Sequence, residues 1–409
     1  MLKVILVQRV ADLHTLSFIV WRMKRIPEID GLRALAALSV FAYHVFGFSA
    51  IVRFSHAGWV GVDLFFVISG YLITTILLGM RGDPHYFKNF YMRRTLRIFP
   101  PYYLFFLICL CGALLSANDH LSKPLWAAFA LYGTSIAVVQ PWYSGAVSHL
   151  PGPVRAIEVT WSLSIEEFFY LLWAPAVRFL KRQHLFALIF AIIVFAPMVR
   201  WYMHVPGSRA EYYFLPARMD TLAFGALLAL WRGSGRPFQV PGWSVAVFSL
   251  ASASLLVLLD DPQANGLFAV LGYTLIALTM TLLLAFVLHH EASPNLLCRA
   301  LRSRLLVRIG TISYMFYLLH LFVIRMFRDW FPGVASSHWA LNRILQLAGS
   351  LVTTLALAGL SWKYFETPIL RLKSRFGSEH STRQMNPASE AESAKPSFEA
   401  TALACQTAE

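Results

Sequence analysis

Runs of roughly 20 apolar residues, the length that crosses a bilayer, recur along most of this 409-residue chain. Nothing else in the sequence restricts its possible folds as much. In hydrocarbon every backbone polar group needs an internal partner, so spanning segments are helices or closed barrels. A barrel would show alternating segments of about ten residues, whereas these runs are continuously apolar. Composition agrees: 57% of residues are hydrophobic, 14% are charged, and mean hydropathy is +0.58. Soluble domains carry about 25% charged residues. The predicted fold is all-α, a polytopic membrane protein of about ten transmembrane helices.

The predicted spans are 31–50, 59–79, 99–117, 161–179, 185–203, 213–231, 243–260, 266–288, 309–328 and 341–362. Segment 124–140 is apolar but short, and is expected to re-enter the membrane or lie on it. With the N-terminus inside, the cytoplasmic segments hold 25 Lys and Arg residues and the outer segments 9, charges at span ends being counted with the nearer loop. This bias predicts two cytoplasmic termini. It also accounts for the net charge of +14 without a nucleic-acid partner, and no nucleic-acid module is recognisable.

Residues 1–26 are expected to be a cytoplasmic extension, 27–370 the membrane domain, and the polar, Ser-, Ala- and Glu-rich stretch 371–409 a disordered cytoplasmic tail. The first 21 residues contain Lys3, Arg9 and Asp12 and no small-residue cleavage site, which argues against a signal peptide. That stretch reads either as an upstream extension or as an interfacial helix. Cys109, Cys111, Cys298 and Cys405 have the spacing of neither a zinc site nor a disulfide framework, and no metal is expected. No internal repeat is visible, which weakens a repeat-built transporter reading.

Ionisable residues inside a membrane are costly and usually face a cavity or a partner. "IDGLRALAALSVFAYHV" carries Arg33 and His44. Eleven helical residues make three turns plus roughly 20°, so both side chains lie on nearly one face, about 16 Å apart. Ala36 and Ala37 lie between them and leave room for a narrow ligand or a close helix. Arg33 also reads as a residue snorkelling to the interface, and His44 as a hydrogen-bonded core histidine.

Asp63, in "GVDLFFVISGYLIT", either orients His44, contacts an acceptor hydroxyl or pins a helix end. Arg93, Arg94 and Arg97 crowd "RRTLRIFPPYY" as a positive-inside cluster. Arg94 and Arg97 are three apart and share a helical face, and guanidinium forks suit phosphate. In "TWSLSIEEFFY", Ser162 and Glu166 are one turn apart while Glu167 points elsewhere. The same three residues also suit a helix cap and first turn. Arg218 and Asp220 read as an ion pair or as part of an acceptor surface, and His320, in "ISYMFYLLH", sits at mid-membrane. In "KYFETP", Pro368 is expected to end the last helix.

Together these segments, with "RMDTLAFGALLA", resemble the acyltransferase 3 family of integral membrane acyltransferases. They stand in the family's order over residues 27–370. The resemblance maps an arginine–ten-residue–histidine motif onto Arg33 and His44, an Arg-x-x-Arg motif onto Arg94 and Arg97, and a Trp-Ser-Leu motif with following glutamates onto Trp161, Ser162, Leu163, Glu166 and Glu167. It looks like the membrane-only form, without the C-terminal esterase-like domain of some members.

The resemblance implies acyl transfer, commonly acetyl from acetyl-CoA, to a hydroxyl of a carbohydrate such as O-antigen or exopolysaccharide, at the inner membrane. The expected partners are the bilayer, acyl-CoA as co-substrate and a carbohydrate or glycolipid acceptor, with no tightly bound cofactor. On this reading Arg33, Arg93, Arg94 and Arg97 bind the donor's phosphates, His44 is the general base, and Glu166 or Asp63 orients it. Trp161, Ser162, Glu167, Arg218, Asp220 and His320 are the expected substrate-binding set. A lipid-linked glycan flippase and a non-catalytic scaffold are the competing classes.

Overall fold

The computed structural model describes residues 25–46, 53–116, 152–205, 210–235, 239–259, 265–291, 293–331 and 339–376. Segment 124–140, nearly all of the N-terminal extension and most of the predicted tail lie outside the described residues. Helix dominates, and no strand occurs among the described residues. The principal helices are α1 (Pro27–Phe46), α2 (Gly61–Gly79), α3 (Tyr86–Ser116), α4 (Trp161–Phe179), α5 (Arg182–Met203), α6 (Leu215–Arg232), α7 (Gly242–Leu258), α8 (Tyr273–His289), α9 (Arg304–Trp330) and α10, a helical run over 339–376. Two 3-10 segments, Arg53–Val60 and Gly152–Thr160, lead into α2 and α4.

Each predicted span falls on one of these helices, but among the described residues seven are long and apolar enough to cross a membrane: α1, α2, α3, α5, α8 together with the π turn Phe268–Gly272 before it, α9 and α10. The other three differ for visible reasons. α4 carries Glu166, Glu167 and Arg178; α6 carries Arg218, Asp220 and Arg232; α7 is 17 residues long. Large apolar side chains remain exposed on the outward faces of the bundle, including Leu171, Phe190, Phe195, Trp201, Leu250 and Val352. Such a surface suits lipid, and the protein is a multi-pass membrane protein.

Two boundaries depart from expectation. α3 begins at Tyr86, not near 99, so Arg93, Arg94 and Arg97 lie inside a helix about 46 Å long. Its start is fixed by Asp83, which accepts from the His85 N–H (2.8 Å) and the Asn89 amide (2.9 Å). Tyr86, buried, donates to the Ala174 carbonyl of α4. In α10, Pro368 does not end the helix. A π turn at Trp362–Glu366 precedes it and the helix resumes at Thr367–Arg371. The wider turn accommodates the ring that would otherwise collide with the preceding turn.

Close backbone contacts set the central packing. α1 and α9 run parallel: Gly310 meets Asp30 near the start of α1, and Arg328 donates to the His44 carbonyl near its end. A Cβ on Gly310 would stand 1.9 Å from the Asp30 carbonyl oxygen. Gly310→Ala is expected to cost about 1–3 kcal/mol by overpacking, read as a lowered thermal midpoint of the purified protein in detergent; an unchanged midpoint would contradict the tight crossing. α2 and α6 are also parallel, Asp63 meeting Arg218 near their starts and Tyr71 meeting Arg232 further on. Where they cross, Gly70 lies against Leu222 and Gly225 against Val67, the small-residue contact common between membrane helices.

Candidate active site

α1 carries a polar group toward each end. Around Arg33, α3 contributes Arg93, Arg94 and Arg97, α4 contributes Glu166 and Glu167, and α10 contributes Glu366 and Lys373. The charges acting on Arg33 are Arg97, Asp30 and Glu166. Arg97 and Arg33 act on Glu366, and Arg97, Arg94 and Arg93 surround Lys373.

Glu166 and Tyr170 are one turn apart on α4, so Tyr170 Oη donates to Glu166 Oε2 at 2.8 Å. Ser69 of α2 completes this contact by bonding the Tyr170 hydroxyl. The Arg94 guanidinium lies 6.0 Å from the Tyr170 ring centre and 5.9 Å from that of Phe90. Arg33, Arg94 and Arg97 thus stand among Asp30, Glu166, Glu167 and Glu366, with Arg93 and Lys373 beside them. Arg33 Nε and Glu167 Oε1 are buried without a partner among the described residues, as expected where a polar ligand completes the site.

At the other end, the rings of His44 on α1 and His320 on α9 approach to 5.1 Å between centroids. His320 is 1% exposed. Its Nδ1 is bonded to the Tyr317 carbonyl. A carbonyl only accepts, so Nδ1 carries the proton and, in the neutral ring, Nε2 keeps a lone pair. That Nε2 is buried with no partner among the described residues. Tyr317 Oη bonds Ser162 Oγ at 2.8 Å, which ties α9 to the start of α4. The groups acting most strongly on His44 are His320, Arg325 and Arg328.

The expected orienting carboxylates stand elsewhere. Asp63 Oδ1 accepts from Arg218 Nη2 at 2.6 Å, with both side chains fully buried. Glu166 faces Arg33 and Arg94 instead of the imidazole. Of the two readings of Arg218 and Asp220, an ion pair or part of an acceptor surface, the first is not realised between these two residues: each pairs elsewhere. Arg218 takes Asp63 and lies over Tyr273 (4.6 Å) and Tyr212 (5.0 Å). Asp220 takes the buried Arg200 at 2.9 Å, with Thr274 bonded to both. Trp161 joins the adjoining aromatic cluster, 4.8 Å from Tyr212.

The structure therefore separates the predicted residues into three groups. Arg33, Arg93, Arg94, Arg97, Glu166 and Glu167 gather at one end, and His44, His320 and Ser162 at the other. Asp63, Arg218, Asp220 and Trp161 belong to a buried network between α2, α5, α6 and α8. Sequence reasoning passed over Arg200, Ser69, Tyr170, Tyr317, Arg325 and Lys373. Tyr170 and Tyr317 were within reach of it, since they stand one turn from Glu166 and three residues before His320.

The described residues thus form an all-helical membrane domain with a cationic cluster toward one end of α1 and a histidine pair toward the other. The chain belongs to the family described as "Acyltransferase domain", which it matches over residues 26–363. It is 31% identical over 367 residues to the peptidoglycan O-acetyltransferase OatA of Listeria monocytogenes, a match covering 85% of this chain and 56% of OatA. It is 30% identical over 368 residues to Bacillus subtilis YrhL, whose name provisionally assigns it to peptidoglycan O-acetylation; 84% of this chain and 55% of YrhL are covered. The chain thus spans just over half the length of these curated relatives. No solved structure matches it.

Proposed function

We propose that the protein is an O-acyltransferase that carries an acyl group, acetyl first among them, from cytoplasmic acyl-CoA to a carbohydrate hydroxyl beyond the inner membrane. Ten spans with both termini cytoplasmic are part of this reading. The observation that carries it is the layout of α1: a phosphate-suited arginine cluster at Arg33 and a histidine pair at His44, about 16 Å apart along the axis. The relatives' names make a peptidoglycan-type glycan the first acceptor to test, ahead of O-antigen or exopolysaccharide.

In this reading Arg33, Arg93, Arg94 and Arg97 hold the phosphates of CoA, and Glu166 holds Arg33 and Arg94 in place. Ala36 and Ala37 are 1% exposed and packed against neighbouring helices, so the pantetheine arm passes beside that face to bring the thioester to His44. A His44 ring nitrogen takes the proton of the acceptor hydroxyl as its oxygen bonds the carbonyl carbon. The C–S bond breaks, and the departing thiolate recovers that proton as CoA-SH. His320, its tautomer fixed by Tyr317, sets the orientation of the His44 ring.

The test is acceptor-dependent release of CoA by the purified protein given acetyl-CoA and glycan strands. Glycan movement across a vesicle without CoA consumption would overturn the reading in favour of transport. Arg94→Ala and Arg97→Ala are each expected to raise KM for acetyl-CoA about 10- to 100-fold, since hydrogen bonds to charged groups contribute about 1.5–3 kcal/mol. An unchanged KM would remove the phosphate assignment.

A further inference from the structure

Four arginines gather at the histidine end of the bundle, outside the reacting groups described above. Arg328 donates to the His44 carbonyl at 2.8 Å and has Arg325 and Arg343 as its cationic neighbours. Arg325 bonds Glu158, which also meets Arg155 at 3.6 Å. Arg155, Arg328 and Arg343 are exposed. Arg325 Nη1 is buried without a partner among the described residues although its other arm is engaged. Two carboxylates stand among these four cations: Glu158, and Asp329, which acts on Arg328.

The neighbouring connections do not change this balance. Residues 47–52 and 332–338 contain no charged residue, and 117–151 contain Asp119 and Lys123 alone. Membrane topology does not explain the cluster either. Basic residues favour the cytoplasmic side, so this face should be depleted of them. Yet four of the nine Lys and Arg residues assigned to the outer face collect at this end: Arg325 and Arg328 beside His44, Arg343 beside Arg328, and Arg155 beside Glu158.

We propose that this cluster is an anion subsite for the acceptor: the glycan brought to His44 carries a carboxylate or phosphate next to the acylated sugar, and Arg328, Arg343 and the free arm of Arg325 bind it. Planar forks of this kind match such groups in bidentate fashion. The proposal rests on the acyl-transfer reading above and specifies its acceptor. A neutral acceptor would gain nothing from the cluster, whereas an anionic one would be both held and steered to the mouth of the site.

The experiment compares two acceptors in the purified full chain. One is a chitin tetrasaccharide; the other is a tetrasaccharide of alternating N-acetylglucosamine and N-acetylmuramic acid, which adds lactyl carboxylates. The muramic acceptor is expected to have at least tenfold higher kcat/KM. The preference should shrink as salt rises and fall at least threefold in Arg343→Gln. Equal kcat/KM for the two acceptors, or a preference untouched by Arg343→Gln, would overturn the subsite. Calorimetric binding of the muramic tetrasaccharide without acyl-CoA reads the subsite separately: binding weakened by Arg343→Gln supports it even where no transfer occurs, a case that would sink the enzyme reading alone. If Arg343→Gln lowers only retention of phosphatidylglycerol in nanodiscs, the cluster serves lipid headgroups and the proposal fails.

Discussion

His44→Ala is expected to lower acyl transfer about 10²- to 10⁴-fold, the usual contribution of a positioned general base, with expression and thermal midpoint close to those of the parent. Alanine leaves no group to take the hydroxyl proton, while the arginine cluster, far along α1, still binds the donor. KM for acetyl-CoA should therefore hold as kcat falls. His320→Asn should cost less, because it removes a ring that positions His44 and leaves the base itself. The two variants separate the roles: a loss in His320→Asn equal to that in His44→Ala would mean that both imidazoles handle protons. A His44→Ala protein with full activity would end the assignment. Rates by CoA release, at several donor concentrations, make the measurement.

The second large effect concerns Asp63 and Arg218, whose side chains are fully buried and bonded at 2.6 Å. Arg218→Met strands the Asp63 carboxylate without a cation, and breaking a buried pair in this way costs about 3–5 kcal/mol. Combining it with Asp63→Leu should recover most of that loss, since a well-packed apolar pair is often as stable as the ion pair. Denaturation of the four proteins of this double-mutant cycle in detergent gives the coupling. Little loss in Arg218→Met alone would show that the pair is not structural, and would return Asp63 to consideration beside the acceptor.

What the sequence makes legible follows from how local each signal is. Arg33 and His44 lie on one helix, so helical geometry alone puts them on one face, and the gathering of Arg94 and Arg97 follows from a spacing of three. The all-helical class follows from hydrophobicity. Partners contributed by other helices are not local. Nothing near Asp63 in the chain reveals that Arg218 will neutralise it, so its carboxylate looked available to His44. Asp220 stands two residues from Arg218, which made those two an obvious pair, but two positions along a helix point about 200° apart, and each finds its partner on another element. The length of α3 is not legible locally: Arg93, Arg94 and Arg97 have the character of a loop, and it is the burial of Tyr86 and Phe90 that carries the helix through them.

His44 and His320 are 276 positions apart in the chain, brought together by the parallel crossing of α1 and α9. During synthesis the first helix enters the bilayer long before the ninth. Through that interval the His44 ring lacks the neighbour it has in the finished bundle, and the crossing at Gly310 that aligns the two rings does not yet exist. The histidine pair is thus a late product of biogenesis. A partly inserted chain already holds the α1 and α3 arginines, while the carboxylates that face them from α4 and α10, like the ring of His320, arrive later.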